Sequence, residues 1–369
     1  ALPFNVELYE VDTDNPRGVI INASEEIPFS NVTISADSLF LEIGLFNAAL
    51  NMRIESPSLI TGEWRDYDKE NYAVPLVAEY DKDYRFTPSK SSTSTSSQYK
   101  VTFYENDSTS QNAILVLDND TGRLSGTFLT ETGDYRYLDG NVMNQSIYLS
   151  TFDGSHAFLF QAKIKGDSLV DGIFNSGIHY ESSWVGVVDS LFQLRNPKAL
   201  TFLNPGYDKF NFRLPNQDGD TVTWEDLNLD GKVVIIDIMG SWCPNCIDAN
   251  KAIKELIAPY DKSDIELVSI AFEYTDNLKA SREKVFNMQR KIGLPEKFLF
   301  GGIASKKNAA DKLPALNHVM SFPTLLFIDK ERNVEQIYTG FYGPGTGRYY
   351  REFMVDTKQL LNRLISERS

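Results

Sequence analysis

Hydrophobic and polar positions follow two different patterns along this chain, and the pattern changes near residue 195. Before that point, short runs rich in β-branched and aromatic residues alternate apolar and polar positions, which is typical of half-buried strands. Turn sequences such as Thr132-Gly133-Asp134 separate the runs. The runs cover residues 4–9, 32–34, 39–43, 99–104, 113–117, 146–151 and 157–164. This half therefore predicts an antiparallel sheet or sandwich.

After residue 195, strand-like and helix-like patterns alternate. Strand patterns cover residues 233–238, 265–272, 324–329 and 334–340, and helical patterns cover residues 245–258, 277–292, 306–313 and 349–365. This order predicts an α/β unit with helices on both faces of a small central sheet. We therefore expect an α+β protein of two domains, an antiparallel β-rich domain over residues 1–198 and an α/β domain over residues 205–369. The boundary is expected between Leu194 and Pro205.

Charge distinguishes the two halves further. The 369 residues include 36 Lys and Arg against 51 Asp and Glu, a formal net charge of −15. Residues 1–205 hold 14 basic and 28 acidic residues, whereas the rest hold 22 and 23. So acidic a chain argues against nucleic acid as a partner. No apolar run is long enough to predict a transmembrane segment. Because the sequence starts at Ala-Leu-Pro, we interpret it as a mature or trimmed form, and an upstream signal or anchor would be invisible.

The two cysteines lie three positions apart, in Trp242-Cys243-Pro244-Asn245-Cys246. The motif follows the apolar strand pattern at 233–238 and opens a predicted helix. At a helix N-terminus, free backbone N–H groups and the helix dipole stabilise a thiolate. Cys246 lies about one turn further on, near enough to attack a mixed disulfide. We interpret the pair as a redox dithiol in which Cys243 attacks a substrate disulfide and Cys246 resolves the intermediate.

Other uses of two cysteines are less favoured. A structural zinc site needs four ligands, and the chain adds only three scattered histidines, His156, His179 and His318. Haem attachment needs a histidine directly after the second cysteine, where this chain has Ile247. An inert structural disulfide remains open, although the preceding strand and tryptophan speak against it. We expect no metal and no cofactor other than the Cys243–Cys246 disulfide.

The C-terminal region resembles the thioredoxin superfamily. Within it, the closest resemblance is to TlpA/ResA-like periplasmic thiol-disulfide oxidoreductases, in a long form whose added N-terminal β-domain looks like those of Bacteroidetes-type proteins. The resemblance covers about residues 205–369 and rests on the Trp-Cys-Pro-x-Cys core, a lead-in with Asp218-Gly219 and Gly231-Lys232, and Ser321-Phe322-Pro323-Thr324. It implies a cis-proline at Pro323 and a backbone at Phe322 that pairs with an extended substrate peptide. The substrate-binding residues it implies are Trp242, Pro244, Phe322 and Pro323.

Asp237 is the preferred acid–base residue. It lies six residues before Cys243 in an apolar strand, where burial would raise its pKa and suit it to accept a proton from the resolving thiol. Its position matches the buried aspartate of thioredoxins; exposure at the strand end is the alternative. TlpA-like proteins often carry Glu three residues after the second cysteine and Pro two further on, whereas this chain has Ala249 and Lys251. Asp248 is therefore the second candidate.

The resemblance implies an enzyme, a thiol-disulfide oxidoreductase that reduces protein disulfides and is recharged by a membrane or periplasmic thiol electron donor. The implied location is extracytoplasmic, in the bacterial periplasm or tethered to the membrane and facing it. One alternative is a thiol peroxidase of the related peroxiredoxin branch. Those proteins carry Thr or Ser three residues before the attacking cysteine, and in this chain Gly240 occupies that position relative to Cys243. Another is a partner-binding module, since residues 1–195 hold no catalytic constellation and suit recognition or assembly.

Overall fold

The computed structural model describes residues 2–69, 71–106, 109–294 and 297–367. The chain divides into two compact units. The first comprises Ala1–Thr130 and Tyr135–Gln193, and the second comprises Glu131–Asp134 and Leu194–Ser369. The second unit thus includes four residues that lie in the middle of the first unit's sequence.

The strands up to residue 188 are, in chain order, β1 (Asn5–Tyr9), β2 (Arg17–Asn22), β3 (Glu25–Pro28), β4 (Asn31–Ile34), β5 (Ser38–Ile43), β6 (Ala48–Ser56), β7 (Leu59–Asp66), β8 (Ala73–Glu79), β9 (Gln98–Asn106), β10 (Thr109–Asp120), β11 (Arg123–Thr130), β12 (Gly133–Asp134), β13 (Leu138–Met143), β14 (Ser146–Phe152), β15 (Ala157–Lys165), β16 (Ser168–Ser176) and β17 (Tyr180–Val188). Strands β1–β3 form one sheet and β4–β8 form a five-stranded meander. The remaining strands of the first unit form its largest sheet.

Eight antiparallel strands of that nine-stranded sheet form a closed, barrel-like ring, and the short strand β12 pairs with β11 outside it. The strands run in the order β10, β9, β17, β16, β15, β14, β13 and β11, and β10 also pairs with β11. Alternating side chains fill the interior, with Phe160 stacked between Phe128 and Phe174 at ring-centroid distances of 4.4 and 4.3 Å. The prediction of an antiparallel β-rich domain is confirmed, but the expected sheet or sandwich is wrong for these strands. Alternation specifies which face of a strand is buried, and it does not specify whether the first and last strands pair.

The second unit contains four helices among its described residues. In chain order its elements after residue 193 are β18 (Leu214–Pro215), β19 (Thr221–Val222), β20 (Val233–Met239), α1 (Pro244–Ile257), β21 (Ile265–Glu273), α2 (Leu278–Ile292), β22 (Lys297–Ile303), α3 (Lys306–Lys312), β23 (Thr324–Ile328), β24 (Val334–Thr339) and α4 (Arg348–Ser366). A mixed five-stranded sheet has the order β22, β21, β20, β23, β24. Strands β20, β21 and β22 are parallel, and β23 is antiparallel to both β20 and β24.

Strand β20 lies at the centre of this sheet, and all seven of its residues are buried. Its run of valine and isoleucine is typical of a strand covered on both faces. The edge strand β22 is absent from the sequence-based prediction; it contains Gly301 and Gly302, and glycine weakens a strand pattern. None of the helices in the described part of the chain meets the length and hydropathy of a membrane span.

Candidate active site

Cys243 and Cys246 form a disulfide at the start of α1, with Cα atoms 5.2 Å apart. Cys243 is the N-cap residue, and its Sγ accepts a hydrogen bond from the Cys246 backbone N–H at 3.2 Å. Pro244 follows in the first helical turn, where a missing N–H costs nothing. Once the disulfide is reduced, a thiolate at Cys243 lies at the positive end of the helix dipole.

The two cysteines differ in solvent exposure. Cys243 is 6% exposed, whereas Cys246 is fully buried. Of the two residues, only Cys243 keeps any exposed surface. This asymmetry fits an attacking role for Cys243 and a resolving role for Cys246.

The turn between β20 and α1 is held by the end of β21. The Ser241 backbone N–H and hydroxyl both donate to the Glu273 carboxylate. The Trp242 indole N–H donates to the Phe272 carbonyl oxygen at 2.9 Å. A Cβ at position 240 would lie 2.3 Å from the Trp242 Nε1, so the turn accepts only glycine there. Glu273 is absent from the sequence-based site prediction; its sequence signal is an acid at the end of a mostly apolar strand.

Phe322 and Pro323 lie beside the disulfide. The peptide bond between them is cis. The Phe322 carbonyl oxygen is 3.4 Å from the Cys243 Sγ. The Phe322 ring packs edge-on against Trp242 with centroids 5.9 Å apart. The structure therefore brings together the residues that the sequence proposes for the dithiol and for the substrate-binding surface around it.

Asp237 is fully buried in β20, in register with Ser269 on one neighbouring strand and Leu325 on the other. Burial raises its pKa to about 7, and the nearby Asn250 side chain acts in the opposite direction. Neither carboxylate oxygen has a hydrogen bond of good geometry to the described residues. Such a carboxyl group is neutral below neutral pH and titrates in the range where thiols exchange protons.

Asp248, the second acidic candidate, lies on α1 and is 8% exposed. Its Oδ1 is 3.9 Å from the Lys251 Nζ, one turn further along the helix. Asp248 is thus paired with a cation at the helix surface. Asp237 has no such ion pair among the described residues, which distinguishes the environments of the two acids.

The segment Glu131–Asp134 also lies at this site, within the second unit. The Thr132 carbonyl oxygen accepts a hydrogen bond from the Ser321 hydroxyl at 2.7 Å. The Asp134 carbonyl oxygen accepts one from the Asn245 side-chain amide at 3.2 Å. The sequence identifies Thr132-Gly133-Asp134 only as a turn, because contacts over more than 100 residues leave no local pattern.

Among the described residues, no group of three or more His, Cys, Asp or Glu side chains is arranged to hold a metal ion.

Comparisons with known proteins concern the C-terminal region. Residues 205–357 match the model of the AhpC/TSA family. The search of curated proteins found no match. Three similar solved structures come from Bacteroides thetaiotaomicron, Chlorobium tepidum and Corynebacterium glutamicum.

The first is a candidate protein disulfide isomerase with 20% identity and a TM-score of 0.33, covering 45% of this chain and 93% of its own. The second is a thioredoxin family thiol:disulfide interchange protein with 17% identity and a TM-score of 0.31, covering 43% and 96%. The third is a thiol-disulfide isomerase with 16% identity and a TM-score of 0.33, covering 42% and 94%. Over residues 205–357, the C-terminal region of this chain matches the AhpC/TSA family.

Proposed function

We propose that this protein is a thiol-disulfide oxidoreductase that reduces disulfides in protein substrates through Cys243 and Cys246. The observation that carries the proposal is the asymmetric cysteine pair at the start of α1. Its outer sulfur caps the helix and lies against the Phe322 carbonyl, and its inner sulfur is fully buried. The pair itself supplies the redox chemistry, and the proposal includes no other cofactor.

The reaction begins with both cysteines reduced. The Cys243 thiolate attacks one sulfur of the substrate disulfide; an S–S bond to Cys243 forms, the substrate S–S bond breaks, and one substrate thiolate leaves and takes up a proton. Cys246 then loses its proton and attacks the Cys243 Sγ, which releases the second substrate thiol and forms the Cys243–Cys246 disulfide. Two electrons pass to the substrate. A thiol electron donor, at the membrane or in the periplasm, returns them by the same exchange.

In this scheme Asp237 accepts the proton that Cys246 loses. A base works best when its pKa lies close to the working pH, and burial brings the pKa of Asp237 to about 7. Asp237 precedes the cysteine motif on the central strand, so its position is fixed by the sheet.

The proposed substrate-binding surface consists of Trp242, Pro244, Phe322 and Pro323. The Trp242 ring packs against Tyr274 with centroids 4.6 Å apart, and Tyr274 is 60% exposed. This aromatic pair, in which Trp242 is partly buried and Tyr274 is exposed, suits contact with apolar side chains of an extended peptide. The backbone of Phe322 would supply main-chain hydrogen bonds to the same peptide.

We further propose an extracytoplasmic location, in the periplasm or tethered to the membrane and facing it. A chain whose two cysteines form one redox pair is consistent with that location. The acidic first unit would then serve recognition or assembly rather than catalysis.

Reduction of insulin disulfides tests the proposal. The wild-type protein with a thiol reductant is expected to turn over insulin, and Cys243→Ser is expected to abolish that turnover. Undiminished activity in Cys243→Ser, or none in the wild type, would overturn it. The reduction potential of the pair decides the direction of electron flow, because a potential well below that of the glutathione pool favours a reductase.

The two alternative functions, a thiol peroxidase and a partner-binding module, predict different outcomes from those of a reductase. A thiol peroxidase would consume peroxide with a dithiol reductant, and the glycine at position 240 offers no hydroxyl to polarise a peroxide. A partner-binding module would retain its physiological partner in Cys243→Ser. We favour the reductase because Trp242 and Phe322, which we propose to bind the peptide, lie beside the outer cysteine, and because position 240 carries no hydroxyl.

A further inference from the structure

All four residues of the segment Glu131–Asp134 contact other residues of the second unit, to which the segment belongs. The Glu131 carboxylate is held by Arg195, with an Nε–Oε1 distance of 2.7 Å. The Ser321 hydroxyl donates to the Thr132 carbonyl oxygen, and Gly133 is buried against Asn245. The Asp134 carboxylate accepts the Gly343 backbone N–H at 2.5 Å.

Two of these contacts reach elements on either side of Cys243, the first turn of α1 and the loop before β23. Asn245 is one of the two residues between the cysteines, and its amide donates to the Asp134 carbonyl oxygen at 3.2 Å. Ser321 immediately precedes Phe322, whose carbonyl oxygen lies against the Cys243 Sγ. The segment therefore fixes one neighbour of the disulfide within the motif and one on the facing loop.

From these contacts we infer that Glu131–Asp134 is a positioning element of the dithiol and helps to set its reduction potential. In the structure the Asn245 amide donates to the Asp134 carbonyl oxygen. Released from that bond, the amide can donate to the Cys243 thiolate. That donation stabilises the reduced form and raises the reduction potential. For its catalytic consequence the inference rests on the proposed function, but the potential is a property of the cysteine pair itself.

Gly133 offers a specific way to disturb the contact. Its φ is +138°, a conformation that other residues rarely adopt, and an added Cβ would lie 2.4 Å from the Asn245 Nδ2. Gly133→Ala therefore pushes directly on the amide that Asp134 holds. Gly166 is a matched control, because its φ is +58° and no atom lies within 4 Å of an added Cβ. Gly166→Ala introduces backbone strain in a turn without touching the site.

The experiment measures the reduction potential of the full-length variants in a dithiothreitol redox buffer, with thermal unfolding as a check on folding. Gly133→Ala is expected to shift the dithiol–disulfide equilibrium about tenfold toward the dithiol, or about 30 mV for a two-electron couple. Gly166→Ala is expected to leave it unchanged. In an Asn245→Ala background the Gly133→Ala shift should disappear, because the displaced amide is gone.

A Gly133→Ala protein that is folded and has the wild-type potential overturns the inference, as does a shift that persists in the Asn245→Ala background. If Gly133→Ala does not fold, Ser321→Ala decides the matter, since it removes only the hydroxyl that binds Thr132. An unchanged potential in Ser321→Ala then rejects the inference, and a shifted one supports it. Failure of the proposed function is seen separately, as absence of insulin reduction by the wild type.

Discussion

Glu273 accepts two hydrogen bonds from Ser241, one from its backbone N–H and one from its hydroxyl, each 2.8 Å long. Both residues are buried, Glu273 at the end of β21 and Ser241 in the turn that leads to Cys243. A carboxylate bound in this way fixes the backbone two residues before the attacking cysteine. The turn therefore depends on a side-chain acceptor from a neighbouring strand as well as on its own sequence.

Glu273→Gln should weaken this turn while keeping the side-chain volume at position 273. A glutamine side chain has one carbonyl oxygen, so one of the two Ser241 donors loses its acceptor. We expect a loss of about 2 kcal/mol in the free energy of unfolding, measured by urea denaturation, and slower insulin reduction. Glu283→Gln, on the exposed surface of α2, is the control and should change neither. Equal stability of the two variants would argue against the anchoring role.

Cys246→Ser should trap the reaction halfway. Without the resolving sulfur, Cys243 forms a mixed disulfide with a protein substrate and cannot release it. Non-reducing gels and mass spectrometry should show a covalent adduct, and a thiol reductant should cleave it. Cys243→Ser is the matched control and should form none. An adduct on the buried Cys246 of that control would reverse the roles assigned to the two sulfurs.

Asp237→Asn should remove a pH dependence of stability. The pKa of Asp237 is about 7 in the folded protein, and an unfolded aspartate titrates near pH 4. Between these values the folded state holds a proton that the unfolded state has lost, so the contribution to stability is full below about pH 4 and is lost as the pH rises to about 7.

The lost contribution is at most about 4 kcal/mol, since each pKa unit corresponds to about 1.4 kcal/mol. Urea unfolding of the oxidised protein between pH 4 and 8 should show this decline in the wild type and in Asp248→Asn, but not in Asp237→Asn. Parallel curves for all three proteins would refute the assignment.

Tyr274→Ala should affect protein substrates more than small disulfides. Tyr274 is 60% exposed and its ring packs beside Trp242. Its removal should therefore change the free energy of unfolding little, and it reduces the aromatic surface next to Cys243. We expect KM for insulin to rise about tenfold, as for loss of one buried aromatic contact, while kcat for a small aromatic disulfide is unchanged. Tyr80→Ala, at a 79% exposed position in the first unit, is the control. An equal effect on both substrates would place Tyr274 outside the peptide-binding surface.

Local patterns predict much of the second unit. The apolar run of β20, the proline after Cys243 and the asparagine that caps α2 each act over a few residues, and the sequence places these elements correctly to within one or two residues. The contribution of Glu273 could not be predicted in this way, because it depends on two strands lying side by side. Ring closure by the pairing of β10 with β11 is undetermined for the same reason.

The four residues Glu131–Asp134 have a consequence for any attempt to isolate or exchange the redox unit. Because the chain leaves this unit after Asp134 and returns at Leu194, no single cut separates it intact. A fragment that begins at residue 194 leaves the Asn245 amide and the Ser321 hydroxyl without their acceptors on the segment. A graft of this redox unit onto another protein would need a second splice, one that brings two main-chain carbonyls to the positions now taken by Thr132 and Asp134.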